Sequence, residues 1–252
     1  MDAIGQPDLI VHLWLRRPRN GNALDPETLS RLHGELSAAE SQPECLAVLI
    51  RAEGSTFCAG ADVLACVEMI HDHKRLLAFF AEGRRLMDRL VKSRLVSIVV
   101  VQGLAAAGGL ELVTAADIVI ATEGALFADR HATFGFLPAF GATSLLPLRV
   151  GHSVAQSMLL GKRELDVSAA RQVGLIHRDC ASTKVDAVIE QEIDRLRSIG
   201  VDALSKIKSL INAMEPVSFE SETAAVRQFS GTGGYDPSRF FERVAQDRDS
   251  AH

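Results

Sequence analysis

The sequence predicts an α/β protein with a helical C-terminal appendage. Apolar, β-branched segments alternate with amphipathic helical patterns through the first part of the chain, whereas residues 183–252 carry helical patterns almost alone. This order is typical of an α/β core followed by added helices. A chain of 252 residues is long enough for one core with a smaller appendage. We therefore divide it into a core, residues 1–195, and an appendage, residues 196–252, which we expect to cover the core or to meet another subunit.

The individual elements follow from hydrophobic spacing and from cap residues. Short apolar runs predict strands at residues 9–15, 46–52, 96–103 and 117–121. Asp25 is a good N-cap and Pro26 fits the first position of a helix, after which leucines recur at helical spacing. The same spacing predicts helices at residues 63–70, 74–91, 108–116, 185–198, 203–213, 218–229 and 237–245. Residues 127–151 are dense in turn signals.

The charge and the aromatic content argue against nucleic-acid and membrane partners. The formal net charge is −5 and the basic residues are scattered, so no basic surface for a nucleic acid or an anionic membrane is predicted. One Trp and one Tyr are too few for a base-stacking platform. The longest apolar stretch, residues 95–110, is too short and too rich in glycine to span a bilayer.

The cysteines and the N-terminal residues predict a cytoplasmic protein. The four cysteines form no Cys-x-x-Cys motif, and free thiols in a chain of this size are typical of a reducing compartment. The first residues, "MDAIGQPDL", fit neither a signal peptide nor a transit peptide. His71 and His73 lack a third ligand at a suitable spacing, so no metal site is predicted.

Two small-residue loops are the main candidates for a functional site. "FCAGADV" and "QGLAAAGG" each run from a strand to the start of a helix. Backbone N–H groups at a helix N-terminus have no intrahelical partner, and glycine lets a ligand atom approach them closely. Two such loops could direct two N–H groups at one oxygen, which is the arrangement of an oxyanion hole. Tight packing is the alternative explanation for each loop taken alone.

Three segments in a fixed order resemble the crotonase superfamily, also called the enoyl-CoA hydratase/isomerase superfamily. They are "FCAGAD", "VVQGLAAAGGLELVTAADIVIA" and "FGFLP". The resemblance implies a spiral of repeated ββα units, a homotrimer or dimer of trimers, and a thioester substrate carried by CoA or by an acyl-carrier protein. It also implies that the thioester oxygen lies between the N–H groups of Ala61 and Gly108. The substrate-binding residues that it implies are Arg19, near the CoA phosphates, and Ala23, Ala59, Gly60, Asp62 and Val63.

Glu111 is the predicted acid/base of this site. It is the only carboxylate between Gly103 and Ala116, in the most apolar part of the chain. It follows Gly108 by nearly one helical turn, which brings its side chain close to an oxygen held by the Gly108 N–H. Burial in an apolar pocket raises the pKa of a carboxyl group toward neutral pH, where proton transfer is efficient. The alternative is a buried glutamate that pairs with a neighbouring Arg or backbone donor.

The sequence departs from the family pattern at His131. Family hydratases usually carry a second glutamate at this position, and a histidine cannot reproduce a water site made of two carboxylates. Three interpretations follow: His131 assists Glu111, or it is the base of a different reaction, or it is structural. Asp129 is a further polar candidate on this turn, although an Asp at a turn usually bonds the local backbone.

These observations predict an acyl-CoA enzyme of the hydratase/isomerase type. Glu111 moves the proton, Ala61 and Gly108 supply the oxyanion donors, and no metal or redox cofactor takes part. A thioester hydrolase or decarboxylase that uses His131 is one alternative, and a non-catalytic acyl-CoA binder is another. The Gly-Lys-Ser/Thr sequence of NTPases and the Gly-x-Ser-x-Gly elbow of esterases are absent from the sequence.

Overall fold

The computed structural model describes residues 10–69, 71–214 and 220–231. Within these ranges the strands are β1 (Ile10–Leu15), β2 (Ala47–Ala52), β3 (Val96–Val101), β4 (Leu104–Ala106), β5 (Ile118–Thr122), β6 (Leu126–Ala128), β7 (Leu165–Asp166) and β8 (Arg178–Cys180). The helices are α1 (Pro26–Glu40), α2 (Val63–Met69), α3 (His73–Lys92), α4 (Gly108–Ala115), α5 (Ala142–Val150), α6 (His152–Leu159), α7 (Val167–Gln172), α8 (Val185–Ile199), α9 (Val201–Met214) and α10 (Glu220–Gly231). The predicted helix at residues 237–245 lies outside the described residues.

The main sheet has five strands in the order β1-β2-β3-β5-β8, and all four neighbouring pairs are parallel. Its central strand β3 is buried along its whole length. Alternate residues of β3 enter two different cores, with Val99 and Val101 on one side and Ile98 and Val100 on the other. A strand covered on both faces requires apolar residues at nearly every position, which explains the "VSIVVV" sequence.

A second, smaller sheet contains strands β4 and β6. Strand β4 follows β3 directly and pairs in parallel with β6, which follows β5 directly. Helix α4 comes after β4, so β3, β4 and α4 form one ββα unit. The turn between β3 and β4 requires glycine at position 103, because its φ is +58° and a Cβ atom there would lie 1.9 Å from the Ser55 carbonyl oxygen.

Helices α8 and α9 cover one face of the main sheet. Ile189, Ile193 and Leu196 of α8 and Leu204 of α9 pack on residues of β2 and β3. A buried lysine also fastens α9, because Lys208 Nζ donates to the carbonyl oxygens of Leu90 and Leu95 at 2.8 Å each. The division of the chain between residues 195 and 196 stays a prediction, and both residues lie within α8.

The sequence-based elements are confirmed where the chain carries a strong local pattern. The four predicted strands correspond to β1, β2, β3 and β5, and the Asp25 side chain accepts a hydrogen bond from the Thr28 N–H at 2.8 Å, as expected of the N-cap of α1. Strands β4, β6, β7 and β8 were not predicted, because two- or three-residue strands exist only through their neighbours. Helix α5 lies inside the turn-rich residues 127–151 and contains Pro147. Of the helices in the described ranges, none combines the length and the apolar character that crossing a bilayer requires.

Candidate active site

The two small-residue loops lie side by side at the start of α2 and α4. The Cys58 N–H donates to the Leu104 carbonyl at 3.1 Å, and the Ala106 N–H donates to the Cys58 carbonyl at 2.9 Å. A Cβ atom at Gly60 would lie 3.1 Å from the Gly108 nitrogen, and a Cβ atom at Gly108 would lie 3.3 Å from the Ala61 nitrogen. Glycine at these positions therefore allows the two backbone segments to approach each other closely.

The N–H groups of Ala61 and Gly108 are both available at this junction. Within the described ranges, neither group donates a hydrogen bond to another part of the chain. Ala107, which precedes Gly108, has a φ of 49° and a ψ of −118°. A non-glycine residue in such a conformation costs on the order of 1–3 kcal/mol, and strain of this kind clusters at functional sites.

A cavity of about 250 Å³ lies over this junction. Most of its lining is apolar, with aromatic rings from Phe80, Phe136 and Phe140. Glu111, Arg130 and His131 are the charged or titratable groups among its polar lining residues, together with the buried thiol of Cys66. Six of the ten predicted site residues line it: Ala59, Ala61, Val63, Gly108, Glu111 and His131.

The other four predicted site residues, Arg19, Ala23, Gly60 and Asp62, are not among the residues that line the cavity. Arg17 Nη1 contacts Asp62 Oδ2 at 2.7 Å and donates to the Ala23 carbonyl at 2.8 Å. Asp62 also accepts a hydrogen bond from the Leu64 N–H at 2.9 Å, so it caps the start of α2. These contacts give Asp62 a structural role in the loop. Arg19 is exposed, and Gly60 lies at the loop junction; substrate contacts of these four residues stay predictions.

Glu111 is buried, with only 1% of its surface exposed. Its Oε1 atom accepts hydrogen bonds from the N–H groups of Phe140 at 2.9 Å and Ala142 at 3.0 Å. The pKa of Glu111 is raised because of its burial. The charge of His131 and these two donors lower it, but burial is the larger effect. Its Oε2 atom is buried and accepts no hydrogen bond within the described residues. The alternative of a backbone-paired glutamate thus describes Oε1, whereas Oε2 makes no hydrogen bond to the described part of the chain.

His131 lies between two carboxylates. Its Nδ1 atom is 2.6 Å from Asp129 Oδ1, and its Nε2 atom is 3.7 Å from Glu111 Oε2. Burial lowers the pKa of His131, but the hydrogen bond to Asp129 and the charges of Glu111 and Asp129 outweigh this effect and raise it above the usual value. The surroundings of His131 therefore favour its cationic form more than water does. The expectation that Asp129 bonds the local backbone is corrected, because the structure directs its Oδ1 atom to the histidine ring.

Glu222 of α10 is a nearby carboxylate that the sequence analysis missed. Its Oε2 atom accepts hydrogen bonds from the Thr143 N–H at 3.1 Å and from the Thr143 hydroxyl. Burial, followed by the charge of Glu111, raises the pKa of Glu222 to about 7. No local signal distinguishes this residue, because an acidic residue in the first turn of a helix is usually solvated.

The fold is thus an α/β spiral in which two small-residue loops meet at a cavity that a buried carboxylate lines. This chain belongs to the enoyl-CoA hydratase/isomerase family, whose sequence model matches residues 6–233. The resemblance to the crotonase superfamily and the predicted fold class are therefore confirmed.

The individual proteins that are similar to this chain support its membership of the family. The share of their length that matches this chain differs among them. The 2,3-dehydroadipyl-CoA hydratase of Escherichia coli is 29% identical over 226 residues, which cover 89% of this chain and 87% of the relative. The mitochondrial methylglutaconyl-CoA hydratase of Mus musculus is 30% identical over 208 residues, which cover 81% of this chain but only 66% of the relative. The solved enoyl-CoA hydratase of Shewanella pealeana superimposes with a TM-score of 0.77 at 27% identity, covering 95% of this chain and 84% of that structure.

Proposed function

We propose that this protein hydrates an enoyl thioester, or shifts its double bond, through an oxyanion hole and one glutamate. The observation that carries the proposal is the position of Glu111: it lines the same cavity as Ala61 and Gly108, and its Oε2 atom accepts no hydrogen bond within the described residues. The relatives support the reaction class, because they are named as hydratases of methylglutaconyl-CoA and 2,3-dehydroadipyl-CoA. In this proposal CoA enters as part of the substrate, and no metal or redox cofactor takes part.

The two amides stabilise the charge that the reaction creates. Adding water across a conjugated double bond, or removing a proton next to a thioester, places negative charge on the thioester oxygen. The Ala61 and Gly108 N–H groups have no other acceptor in the described part of the chain, and each donor of this kind is worth about 3 kcal/mol in the transition state. The strained backbone at Ala107 supports this role, because it precedes one of the two donors directly.

Glu111 and His131 divide the proton transfers in this proposal. Glu111 Oε2 takes a proton from water, or from the acyl carbon in the isomerisation, while Oε1 stays on the Phe140 and Ala142 amides. A cationic His131 assists as a proton donor or as a hydrogen-bond donor to the same carboxylate. In this assignment a protonated histidine stands where family hydratases usually carry a second glutamate. The site then favours delivery of a proton over activation of water by two carboxylates.

The Asp129–His131 hydrogen bond favours one second candidate, hydrolysis of the thioester. A neutral His131 whose Nδ1–H is held by Asp129 would accept a proton from water at Nε2, and the water oxygen would bond to the thioester carbon as the CoA thiol leaves. Hydration changes the acyl chain and leaves the thioester intact, whereas hydrolysis releases CoA, so the two products separate the candidates.

Incubation with a panel of acyl-CoA compounds followed by mass spectrometry tests the proposal. We expect addition of one water to a 2-enoyl-CoA, or a change in retention time without a change in mass for a 3-enoyl-CoA. Loss of carbon dioxide from malonyl-CoA or release of free CoA would support the decarboxylase or the hydrolase instead.

Glu111→Gln keeps an acceptor for the Phe140 and Ala142 amides and removes the base, so we expect kcat to fall about 10²–10⁴-fold while acyl-CoA binding persists. An unchanged kcat in this variant would overturn the assignment of Glu111.

The assembly and the location belong to the same proposal. The family resemblance implies a homotrimer or a dimer of trimers, and the free cysteines predict a cytoplasmic location. Three apolar side chains of α9, those of Ile207, Leu210 and Ile211, are 50%, 55% and 61% exposed in the single chain, which supports contact with another subunit. Light scattering coupled to size exclusion tests the assembly, and a monomer at micromolar concentration would contradict it.

A further inference from the structure

One turn of backbone at the start of α5 holds two buried carboxylates. The Phe140 and Ala142 N–H groups donate to Glu111, which lies on α4. The next N–H group, that of Thr143, donates to Glu222 of α10 at 3.1 Å, and the Thr143 hydroxyl donates to the same oxygen. The acid of the candidate site and the last described helix are therefore connected through neighbouring backbone donors.

Glu222 is nearly as enclosed as Glu111, although it does not line the cavity. Only 6% of its surface is exposed, and within the described ranges its Oε1 atom has no hydrogen-bond partner. This burial requires a specific contact, since an acidic side chain at an exposed helix start would otherwise remain in water.

The charged groups that interact with Glu222 lie on α3, on α4 and in the turn after β6. Glu111 on α4 raises the pKa of Glu222, and Arg84 on α3 lowers it. Glu222 in turn raises the pKa of His131, which follows β6, and Arg227 on α10 acts on the same Arg84 guanidinium. Arg84 Nη1 also donates to the Ala139 carbonyl at 3.1 Å, directly before the turn that holds Glu111.

We propose that Glu222 is a positioning residue for Glu111: by binding the Thr143 amide and hydroxyl, it fixes the turn whose Phe140 and Ala142 amides orient the Glu111 carboxylate. The inference rests on the proposed function, because it assigns Glu222 to the reaction of that site. Docking of α10 then completes the site. The ionisation of Glu222 also places a second negative charge beside Glu111, so the two carboxyl groups titrate as a pair.

Two substitutions separate the positional effect from the charge effect. Glu222→Gln keeps an acceptor for Thr143 and removes the charge, whereas Glu222→Ala removes both. We expect Glu222→Ala to lower kcat on the order of 10-fold to 100-fold, as a small displacement of a catalytic group does, with KM changing much less. We expect Glu222→Gln to recover most of this loss. The acid side of the kcat/KM profile should fit two ionisations in the wild type and one in Glu222→Gln, with the ionisation near pH 7 missing.

The control is Glu190→Gln, which removes an exposed carboxylate from α8. We expect its kcat, KM and pH profile to match the wild type. The inference is overturned if Glu222→Ala and Glu222→Gln both keep the wild-type kcat and pH profile.

A second measurement needs no turnover and therefore distinguishes failure of this inference from failure of the proposed function. In protein labelled with 13C at glutamate carboxyl groups, the resonance lost in Glu222→Gln identifies Glu222. We expect it to titrate near pH 7 in the wild type and at lower pH in Glu111→Gln, since the neighbouring charge is then absent. An identical midpoint in both proteins overturns the pairing. A shifted midpoint in a protein that converts no acyl-CoA supports the pairing and contradicts the proposed function.

Discussion

The Nδ1 atom of His131 lies 2.6 Å from Oδ1 of Asp129, and this contact determines what the histidine can do. The carboxylate fixes a proton on Nδ1 and turns Nε2 toward Glu111 Oε2, 3.7 Å away. Because Asp129 is itself buried, its negative charge acts on the ring with little screening by water. The imidazole of His131 thus lies between the carboxyl groups of Asp129 and Glu111.

The Asp129→Asn substitution tests this relationship. Asparagine keeps an oxygen for the Nδ1–H group but removes the charge that favours the cationic ring, so we expect the pKa of His131 to fall. Titration of the imidazole resonances by 15N NMR measures the change. Asp194→Asn, which removes an exposed carboxylate of α8, is the matched control. A His131 pKa that is the same in Asp129→Asn and in the wild type would contradict the electrostatic role of Asp129.

Glu222 predicts a pH dependence of stability with a definite sign. Its pKa is raised from the ordinary 4.5 to about 7, so between these values the folded protein holds a proton that the unfolded chain releases. The free energy of unfolding therefore falls as the pH rises through this window, by on the order of 3 kcal/mol for this group. We expect Glu222→Gln to show a smaller fall, measured by urea denaturation across the same window. Parallel curves for the two proteins would show that Glu222 has an ordinary pKa.

A substitution at Gly109 tests the close approach between the two loops. A Cβ atom at position 109 would lie 2.2 Å from the Cys58 carbonyl oxygen, which is backbone and cannot move aside easily. We expect Gly109→Ala to lower the free energy of unfolding by about 1–3 kcal/mol, as overpacking of a core does. Gly34→Ala in α1 is the control, because a Cβ atom there would have no neighbour within 4 Å, and this change should raise helix stability by up to about 1 kcal/mol. Equal effects of the two substitutions would rule out the steric argument.

The buried contacts of Lys208 are expected to stabilise the packing of α9. Its ammonium group donates to two carbonyl oxygens and contacts Asp117 Oδ2 at 2.6 Å, and 7% of the residue is exposed. Lys208→Met leaves these acceptors without their cation, so we expect a loss of about 3–5 kcal/mol in the free energy of unfolding. Lys206→Met, an exposed neighbour on the same helix, should change stability little. Thermal unfolding of both variants measures the difference, and a loss that is no larger for Lys208 would contradict the buried role.

The sequence by itself determined the features that depend on neighbours along the chain. Helix α1 has its Asp25 cap and Pro26 start, β3 has its apolar run, and the two small-residue loops lie before α2 and α4, as local spacing predicted. The burial of Glu111 also followed from its apolar surroundings. Backbone preferences and hydrophobic periodicity act over a few residues, so they can be recognised in a single sequence.

Only the tertiary structure decided which polar groups meet. Arg17 pairs with Asp62, Asp129 binds His131, and Glu222 shares one turn at the start of α5 with Glu111. The Glu222 contact joins α10 to the start of α5. Hydrophobic periodicity cannot predict a contact between elements so far apart in the chain. The pKa of a buried group depends on its desolvation and on the charges around it, and both arise only when the chain has folded.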